Sequence, residues 1–235
     1  MKIKFLASVF FLFALTLTIL LGFWQLNRAH YKEGLEEQMS NREKEKIINL
    51  NLFKSNWNSD ALNYRRVAVT GVFMPQYAIY LDNRPYNDQA GFYLIMPMRL
   101  SSGQIVLINR GWLPRNPEDR TKINAVPTSN VPLTIQGTVR DNPTKIFELK
   151  NQSLSQPTSI RANLDVETFN QKTGLTAFPF FIMQTSDSSD GLIRDWPRPK
   201  NGAERNYGYM VQWWGLAAAL FIYVLIILLR RRSKK

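Results

Sequence analysis

Two apolar segments, one at each end of the 235-residue chain, constrain its fold more than any other feature. The first runs from Phe5 to Trp24 and the second from Met210 to Leu229, and neither contains a charged side chain. An α-helix of about 20 residues is about 30 Å long, which matches the hydrocarbon core of a bilayer. A helix also satisfies all of its own backbone hydrogen bonds in lipid. We therefore predict two transmembrane helices, at residues 5–26 and 208–229.

The N-terminal segment has an alternative interpretation as a cleaved signal peptide, because Lys2 and Lys4 form a basic start. However, the apolar stretch is longer than the usual span of about 7–15 residues, and no small-x-small cleavage site follows it. It ends at Gly22-Phe23-Trp24-Gln25, which is typical of an aromatic anchor at a membrane surface. The sequence favours an uncleaved helix.

The ends of the chain predict its orientation. The tail at residues 230–235 is almost entirely basic, and basic residues close to a helix end stay in the cytoplasm. With two crossings the N-terminus is then also cytoplasmic, in agreement with Lys2 and Lys4. No presequence rich in arginine and serine precedes Phe5, which favours a bacterium over an organelle. We expect a multi-pass protein of the bacterial inner membrane, with its central domain on the extracytoplasmic (periplasmic) side.

The net charge of +12 is mainly a consequence of this topology. Seven of the 30 basic residues lie at the two ends, which leaves 23 against the 18 acidic residues in between. That balance gives no reason to expect a nucleic-acid partner. Because the chain has no cysteine, the exported domain has to be stabilised by apolar burial without disulfides.

Residues 27–63 read as a charged, helix-compatible segment next to the membrane, and residues 64–200 as a strand-rich domain. Alternating or β-branched stretches predict strands. They lie around Val67–Gly71, Tyr77–Leu81, Phe92–Leu100, Ile105–Asn109, Leu133–Arg140 and Ala177–Gln184. The two central stretches flank Ser101-Ser102-Gly103 and predict a hairpin. Pro97 predicts an edge or a bulge at that point.

One helix is predicted inside this domain, over Val166–Lys172, with Asp165 as N-cap and Gly174 at its end. Residues 114–131 are rich in proline and polar side chains and predict a surface loop. The mostly antiparallel strands and the single helix predict a β-rich fold, either a small barrel or an α+β sandwich.

The residues offer little for catalysis. His30 is the only histidine, so neither a histidine-based triad nor a metal site of several histidines and cysteines is available elsewhere. The acidic pairs Glu118-Asp119 and Asp187/Asp190 lie in polar turns, where solvated carboxylates are expected. No glycine-rich phosphate loop follows a strand. We therefore predict that the protein is not an enzyme and has no catalytic or metal-binding residues.

Arg110, Gly111 and Trp112 form the first of two clusters that stand out. In a structural interpretation, Arg110 pairs with a carboxylate, Gly111 supplies a positive φ, and Trp112 packs on the end of the domain. In a functional interpretation they form a docking or ligand surface, since arginine and tryptophan dominate binding hot spots.

The second cluster runs from Arg205 to Trp214, where the second apolar segment begins. Its aromatic side chains are expected to anchor the helix at the membrane surface. Gln212, one turn inside, needs a polar partner, and Gln25 stands at the same boundary of the first helix. We therefore predict that the two helices pack together, with Gln25 and Gln212 close to each other.

Four motifs together resemble a known family. They are Gly22-Phe23-Trp24-Gln25-Leu26-Asn27-Arg28, Tyr64-Arg65-Arg66-Val67 with Gly71 and Phe73, Val106-Leu107-Ile108-Asn109-Arg110-Gly111-Trp112-Leu113-Pro114, and Tyr209-Met210-Val211-Gln212-Trp213-Trp214. They occur in the order found in the surfeit locus protein 1 family. The resemblance spans both predicted helices and the domain between them.

The resemblance implies an assembly factor for haem–copper cytochrome c oxidase, a complex of the respiratory chain. It implies a chaperone-like action on the catalytic subunit around haem a insertion, with haem a synthase as a further partner. In bacterial relatives, haem a is thought to bind through a histidine three positions before the tyrosine that corresponds to Tyr209. That position is Asn206 here. Either His30 serves from the other helix, or the iron is not axially ligated, or the protein is a scaffold.

If haem a is bound, an apolar slot and cations for the propionates are required. Trp24, Trp213 and Trp214 are the candidates for the slot, and Arg28, Arg205 or Arg110 for the cations. The candidate haem-binding set is therefore Trp24, Arg28, His30, Asn206, Tyr209, Gln212 and Trp213, and the candidate partner or structural motif is Arg65, Arg110, Gly111 and Trp112. The competing function is a membrane-tethered extracytoplasmic binding or scaffold module without haem.

Overall fold

The protein is described here by a computed structural model covering residues 2–52, 59–119, 121–141, 159–196 and 201–232. It contains two compact units, one formed by Met1–Met39 with Arg198–Lys235 and the other by Ser40–Pro197. The described helices are α1 (Lys2–Lys44), α2 (Ser59–Leu62), α3 (Val166–Thr173) and α4 (Ala203–Arg232). The described strands are β1 (Ile48–Asn49), β2 (Arg66–Phe73), β3 (Ile79–Leu81), β4 (Gly91–Leu100), β5 (Ile105–Pro114), β6 (Leu133–Arg140), β7 (Ile160–Arg161) and β8 (Ala177–Gln184).

The first unit is a pair of helices, α1 and α4. Both are long and apolar enough to cross a membrane, as the sequence predicts. Helix α1 continues to Lys44, so the charged residues that follow its apolar part are helical as well. Residues 233–235, at the end of the predicted cytoplasmic tail, lie outside the described residues.

The second unit is built on a closed barrel of five strands. Around the barrel, β2 pairs with β6, β6 with β8, β8 with β5, β5 with β4, and β4 with β2 again. All of these pairs are antiparallel except β5 with β8. Strands β3 and β7 extend the sheet beyond β4, and β1 lies beside β2. The predicted barrel is confirmed, and the alternative of a sandwich is wrong.

Alternation along the strands divides the apolar side chains into two clusters. The cluster inside the barrel takes side chains from all five of its strands, among them Val69, Met98, Ile108, Ile135 and Phe180. The other cluster covers the outer face of β4, β5 and β8 and receives α3 through Phe169. Because both faces of β5 are covered, this strand is buried along almost its whole length.

The local signals for α3 and for the central hairpin are confirmed. The Asp165 carboxylate accepts a hydrogen bond from the backbone N–H of Thr168 at 2.7 Å, as an N-cap does. Gly174 ends the helix with φ of 70°, and Gly103 turns the hairpin between β4 and β5 with φ of 83°. Both positive values are readily available to glycine.

Pro97 lies in β4 between two ladders, since residues 93–95 pair with β3 and residues 98–100 with β2. On the side of β4 that faces β2 and β3, Pro97 therefore has no strand partner that would need its missing backbone N–H. This local gap in the pairing is the edge that the proline predicts. Of the two alternatives predicted at Pro97, an edge or a bulge, the edge is therefore the one found; the irregularity in the β4–β5 ladder lies at Leu94/Ile95, opposite an extra residue of β5.

Candidate functional site

Small side chains form the contact between α1 and α4. Every described side chain of the pair that is fully buried is small, namely Thr18, Gly22 and Ala29 on α1 and Ala203 and Ala217 on α4. Small residues allow two helices to approach closely in lipid. A Cβ atom placed on Gly22 would overlap the indole of Trp214. The prediction that the two helices pack together is therefore confirmed, and we call this line of contact the seam.

A polar layer crosses the seam, formed by Gln25, Lys32 and Asn206. The Asn206 amide nitrogen donates to the side-chain oxygen of Gln25 at 2.6 Å, and the Asn206 oxygen accepts from the Lys32 ammonium at 2.6 Å. Lys32 also donates to the carbonyl of Gly202 at 3.3 Å. We call these three residues the polar clasp. The predicted pairing of Gln25 with Gln212 is wrong, because Gln25 bonds Asn206 and Gln212 is exposed.

One flank of the helix pair carries the histidine. The His30 ring lies edge-on to the Tyr207 ring with centroids 6.2 Å apart, and the Tyr207 hydroxyl donates to Glu33 at 2.9 Å. Further along, the Phe23 ring meets Trp214 edge-on at 5.3 Å. We call this side the histidine flank. His30 itself is exposed and takes part in no hydrogen bond among the described residues.

The opposite flank carries two arginines. Each residue turns a helix by about 100°. His30 and Tyr207 follow the seam residues Ala29 and Asn206 and meet on the histidine flank. Arg28 and Arg205 precede the same two seam residues, so they turn to the other side, which we call the arginine flank.

The aromatic residues one turn away from these arginines, Trp24, Tyr31 and Tyr209, share this side, as does Gln212. The Arg28 guanidinium lies 5.5 Å from the centroid of the Tyr31 ring.

The predicted haem-binding residues are thus divided. Trp24, Arg28, Tyr209 and Gln212 lie on the arginine flank, His30 lies on the histidine flank, and Asn206 and Trp213 lie along the seam. Trp214, the further candidate for the apolar slot, covers Gly22 on the histidine side. The structure does not bring these side chains together around one space.

In the second unit, Arg110 points into the end of the barrel. At the irregularity in β4, Ile95 pairs with Asn109 and Leu94 with Gly111, so Arg110 is the extra residue between two pairs. Gly111 permits this with φ of 150°. The guanidinium donates to Asp190 at 2.8 Å, to the Thr128 hydroxyl at 2.7 Å and to the Pro127 carbonyl at 3.0 Å. It also lies over the ring of Phe73, 4.6 Å from the centroid.

The Asp190 carboxylate also accepts a hydrogen bond from a second arginine, Arg194, at 2.6 Å. We call Arg110, Asp190 and Arg194 the buried arginine cluster, because their side chains are 3%, 2% and 8% exposed. Burial alone would raise the pKa of Asp190, but hydrogen bonds from Arg194, the Leu192 N–H and Arg110 outweigh it, and the pKa is lowered. Burial lowers the pKa of Arg110, against the opposing effect of Asp190.

This cluster corrects one prediction about the acidic residues. Asp190 is a buried counter-ion and not a solvated carboxylate, whereas Glu118, Asp119 and Asp187 are exposed as predicted. The local sequence around Asp190 does not indicate that its carboxylate is buried, because its partner Arg110 is 80 residues away in the chain.

Trp112 and Arg65 are the remaining residues of the candidate partner or structural motif. Trp112 is buried and donates its indole N–H to the Arg84 carbonyl at 2.6 Å. Arg65 forms a partly exposed ion pair with Glu45 at 2.7 Å. The contacts of Arg110, Gly111 and Trp112 agree with the structural interpretation of this motif, since a docking surface would need side chains that are exposed.

Sequence reasoning missed a further buried arginine, Arg84, which follows β3 in a segment whose sequence indicates only a turn. Arg84 donates to the carbonyls of Asp82 at 2.7 Å and Ala162 at 2.9 Å. The Asp82 carboxylate forms an ion pair with the Arg115 guanidinium. These contacts tie the loop after β3 to the segment after β7.

Comparison with known proteins decides the family. A family model described as the SURF1 family matches residues 12–218, which include most of α1, the whole barrel and the first half of α4. The chain belongs to the SURF1 family. This confirms the resemblance to the surfeit locus protein 1 family that the four sequence motifs indicate.

Individual relatives in the SURF1 family show similarity over different lengths. The SURF1-like protein of Rickettsia bellii is 29% identical over 230 residues, which cover 94% of this chain and 89% of that protein. The SURF1-like protein of Caenorhabditis elegans is 33% identical over 141 residues, covering 50% and 44%. Surfeit locus protein 1 of Arabidopsis thaliana is 32% identical over 120 residues, covering 46% and 34%.

For the haem group that the SURF1 resemblance implies, the donor atoms decide the fit. Haem iron takes axial ligands such as imidazole, thiolate, thioether or phenolate. Asn206 does not fit, because both ends of its amide are engaged in the polar clasp. The His30 imidazole fits as an axial ligand, because it is exposed and no described hydrogen bond occupies its nitrogens. The arginines predicted to bind the propionates do not share its flank, since Arg28 and Arg205 lie on the opposite one and Arg110 is buried in the barrel.

Proposed function

We propose that this protein is an assembly factor for haem–copper cytochrome c oxidase that acts on the catalytic subunit and does not itself catalyse a reaction. The observation that carries the proposal is the SURF1 match, which extends from the first helix through the barrel into the second. The sequence similarity to the family therefore extends over most of the chain and is not limited to one motif.

The rigid barrel fits a chaperone-like role better than a catalytic one. Its interior is filled by apolar side chains from all five strands, and its end is closed by the buried arginine cluster. The two terminal nitrogens of Arg110 donate to Asp190, Thr128 and Pro127, and the Asp190 carboxylate also accepts from Arg194. These residues supply stiffness, and the exposed surfaces are left for partners such as the catalytic subunit or haem a synthase.

We also propose that the barrel lies on the extracytoplasmic side of the bacterial inner membrane, with both termini in the cytoplasm. The basic residues at the two chain ends support this orientation.

Deletion of the gene tests the proposed function. Membranes of the deletion strain should lose most haem a absorbance and cytochrome c oxidase activity, while their b-type haem signals remain. The wild-type gene should restore both signals. Normal oxidase activity in a deletion strain that has no paralogue would contradict the proposal.

A narrower proposal concerns haem a itself, which we assign to the histidine flank through His30. When bound, the haem would be held by its iron at the imidazole until transfer to the oxidase. The supporting observation is that His30 is exposed beside Tyr207, whereas Asn206 is engaged in the polar clasp.

Absorbance of protein purified from haem-a-producing cells tests this assignment. We expect bound haem a in the wild type, its loss in His30→Phe, and its retention in the control Tyr31→Phe, which lies one residue away on the other flank. Colourless wild-type protein in a strain with normal oxidase maturation would contradict haem binding and leave the scaffold function intact.

A further inference from the structure

The two arginines of the arginine flank lie at the same level of the helix pair. Gln25 and Lys32 both bond Asn206, and Arg28 lies between them on α1, so Arg28 is level with Asn206. Arg205 is the chain neighbour of Asn206. The two arginines, one from each helix, therefore lie on the same flank within about one helical turn of each other along the helix axes.

Within the described ranges, no carboxylate forms an ion pair with either of these two arginines. Among the described residues, neither Arg28 nor Arg205 forms an ion pair, in contrast to five arginines of the second unit, which are Arg65, Arg110, Arg115, Arg140 and Arg194. The acidic side chains of α1 beyond its apolar part are directed elsewhere. Glu33 bonds Tyr207 on the histidine flank, Glu37 lies one turn from Glu33, and Glu36 bonds Asn201. On α4, Glu204 precedes Arg205 and is turned about 100° further from the seam, so among the described residues the side between Arg28 and Arg205 carries no acidic side chain.

Aromatic residues give the depth of this charge in a membrane. Trp24 and Tyr209 stand one turn from Arg28 and Arg205 on the apolar side, and their side chains are 59% and 53% exposed. Exposed tryptophan and tyrosine at the end of an apolar helix lie at the level of the lipid headgroups. The guanidinium groups one turn further out are then at the level of the lipid phosphates.

We infer that the arginine flank is a binding site for an anionic phospholipid, whose headgroup phosphate is held between Arg28 and Arg205. Guanidinium groups bind phosphate oxygens through paired, charge-assisted hydrogen bonds. The acyl chains of such a lipid would lie along Trp24 and Tyr209. Attraction between one basic residue and an anionic lipid surface is worth about fivefold in affinity, so two residues on one flank should give a measurable preference. The inference is independent of the proposed role in oxidase assembly.

Lipid retention by the full-length protein tests the inference. The protein is purified in a mild detergent, equilibrated with equal amounts of phosphatidylglycerol and phosphatidylcholine of the same acyl chains, and analysed by native mass spectrometry. We expect the wild type to retain phosphatidylglycerol in clear excess. The double variant Arg28→Gln/Arg205→Gln should lose most of that excess, on the order of tenfold or more.

A matched control removes the same charge from the other unit. Arg99→Gln/Lys172→Gln changes two exposed basic residues that form no described ion pair, and it should keep the wild-type preference. The far-UV circular dichroism of both double variants should match that of the wild type, so that a lost preference reports the site and not unfolding.

Three outcomes would overturn the inference. One is a wild type without preference for phosphatidylglycerol, and another is a preference that survives the loss of both arginines. The third is displacement of the lipid by inorganic phosphate at millimolar concentration, which would indicate a site for a free anion.

Discussion

At the level of single residues, the barrel depends on a carboxylate that two arginines share. Asp190→Asn keeps the shape of the side chain but leaves Arg110 and Arg194 buried without a counter-charge. Removal of one partner from a buried ion pair costs about 3–5 kcal/mol. We therefore expect the temperature of the thermal transition of the barrel, followed by near-UV circular dichroism, to fall steeply in the full-length variant.

The matched control is Asp187→Asn, which makes the same change three residues earlier in the chain at an exposed position. It should leave the transition close to that of the wild type, since isolated surface substitutions change stability by about 0.5 kcal/mol or less. Equal transitions in the two variants would mean that Asp190 does not support the barrel.

The same residue predicts how stability changes with pH. The pKa of Asp190 is lower in the folded protein than in the unfolded chain, where the pKa of an aspartate is about 3.9. Its contribution is therefore complete above that value and is lost as the pH falls towards the lowered pKa. The stability difference between wild type and Asp190→Asn should be constant from about pH 5 to pH 7 and shrink below about pH 4.

Thermal transitions of both proteins across this range measure the difference. A constant gap down to about pH 3 would mean that Asp190 takes up protons equally in the folded and the unfolded chain, which would contradict a lowered pKa in the buried arginine cluster. Because every other carboxylate is common to the two proteins, the remaining titrations cancel in the comparison.

At the level of elements, close contact between α1 and α4 depends on Gly22. Gly22→Leu would force the indole of Trp214 away from the seam, because even a Cβ atom overlaps that ring. Overpacking of this kind typically costs about 1–3 kcal/mol. We expect weaker pairing of the helices and a lower yield of cross-links between cysteines placed at Glu33 and Tyr207, whose side chains are hydrogen-bonded.

Gly215→Leu is the control, because no atom lies within 4 Å of a Cβ atom at that position. It places the same side chain in the same helix pair and should preserve the cross-link yield. Since the natural chain has no cysteine, the engineered pair is the only thiol pair present. Equal yields in the two glycine variants would contradict the role of Gly22 in the seam.

The elements also show how far the sequence could predict this structure. Helix α3 was predictable because its signals are local, an N-cap at Asp165 and a glycine at 174. The closure of the barrel was not, since the parallel pairing of β5 with β8 brings together strands far apart in the chain. The two flanks fall between these cases. Small residues at Gly22 and Ala29, one heptad apart, indicate the seam from sequence, but only the contact of His30 with Tyr207 shows which sides of the two helices coincide.

At the level of the whole molecule, the orientation in the membrane is the remaining prediction. Alkaline phosphatase, which is active only outside the cytoplasm, can be inserted at the exposed turn Ser101–Gly103. We expect strong activity from this fusion and none from a fusion at the C-terminus, where the basic residues after α4 are retained in the cytoplasm. A fluorescent protein that folds only in the cytoplasm should give the reverse pattern at the same two sites. Phosphatase activity at the C-terminus alone would reverse the proposed topology and place the barrel in the cytoplasm.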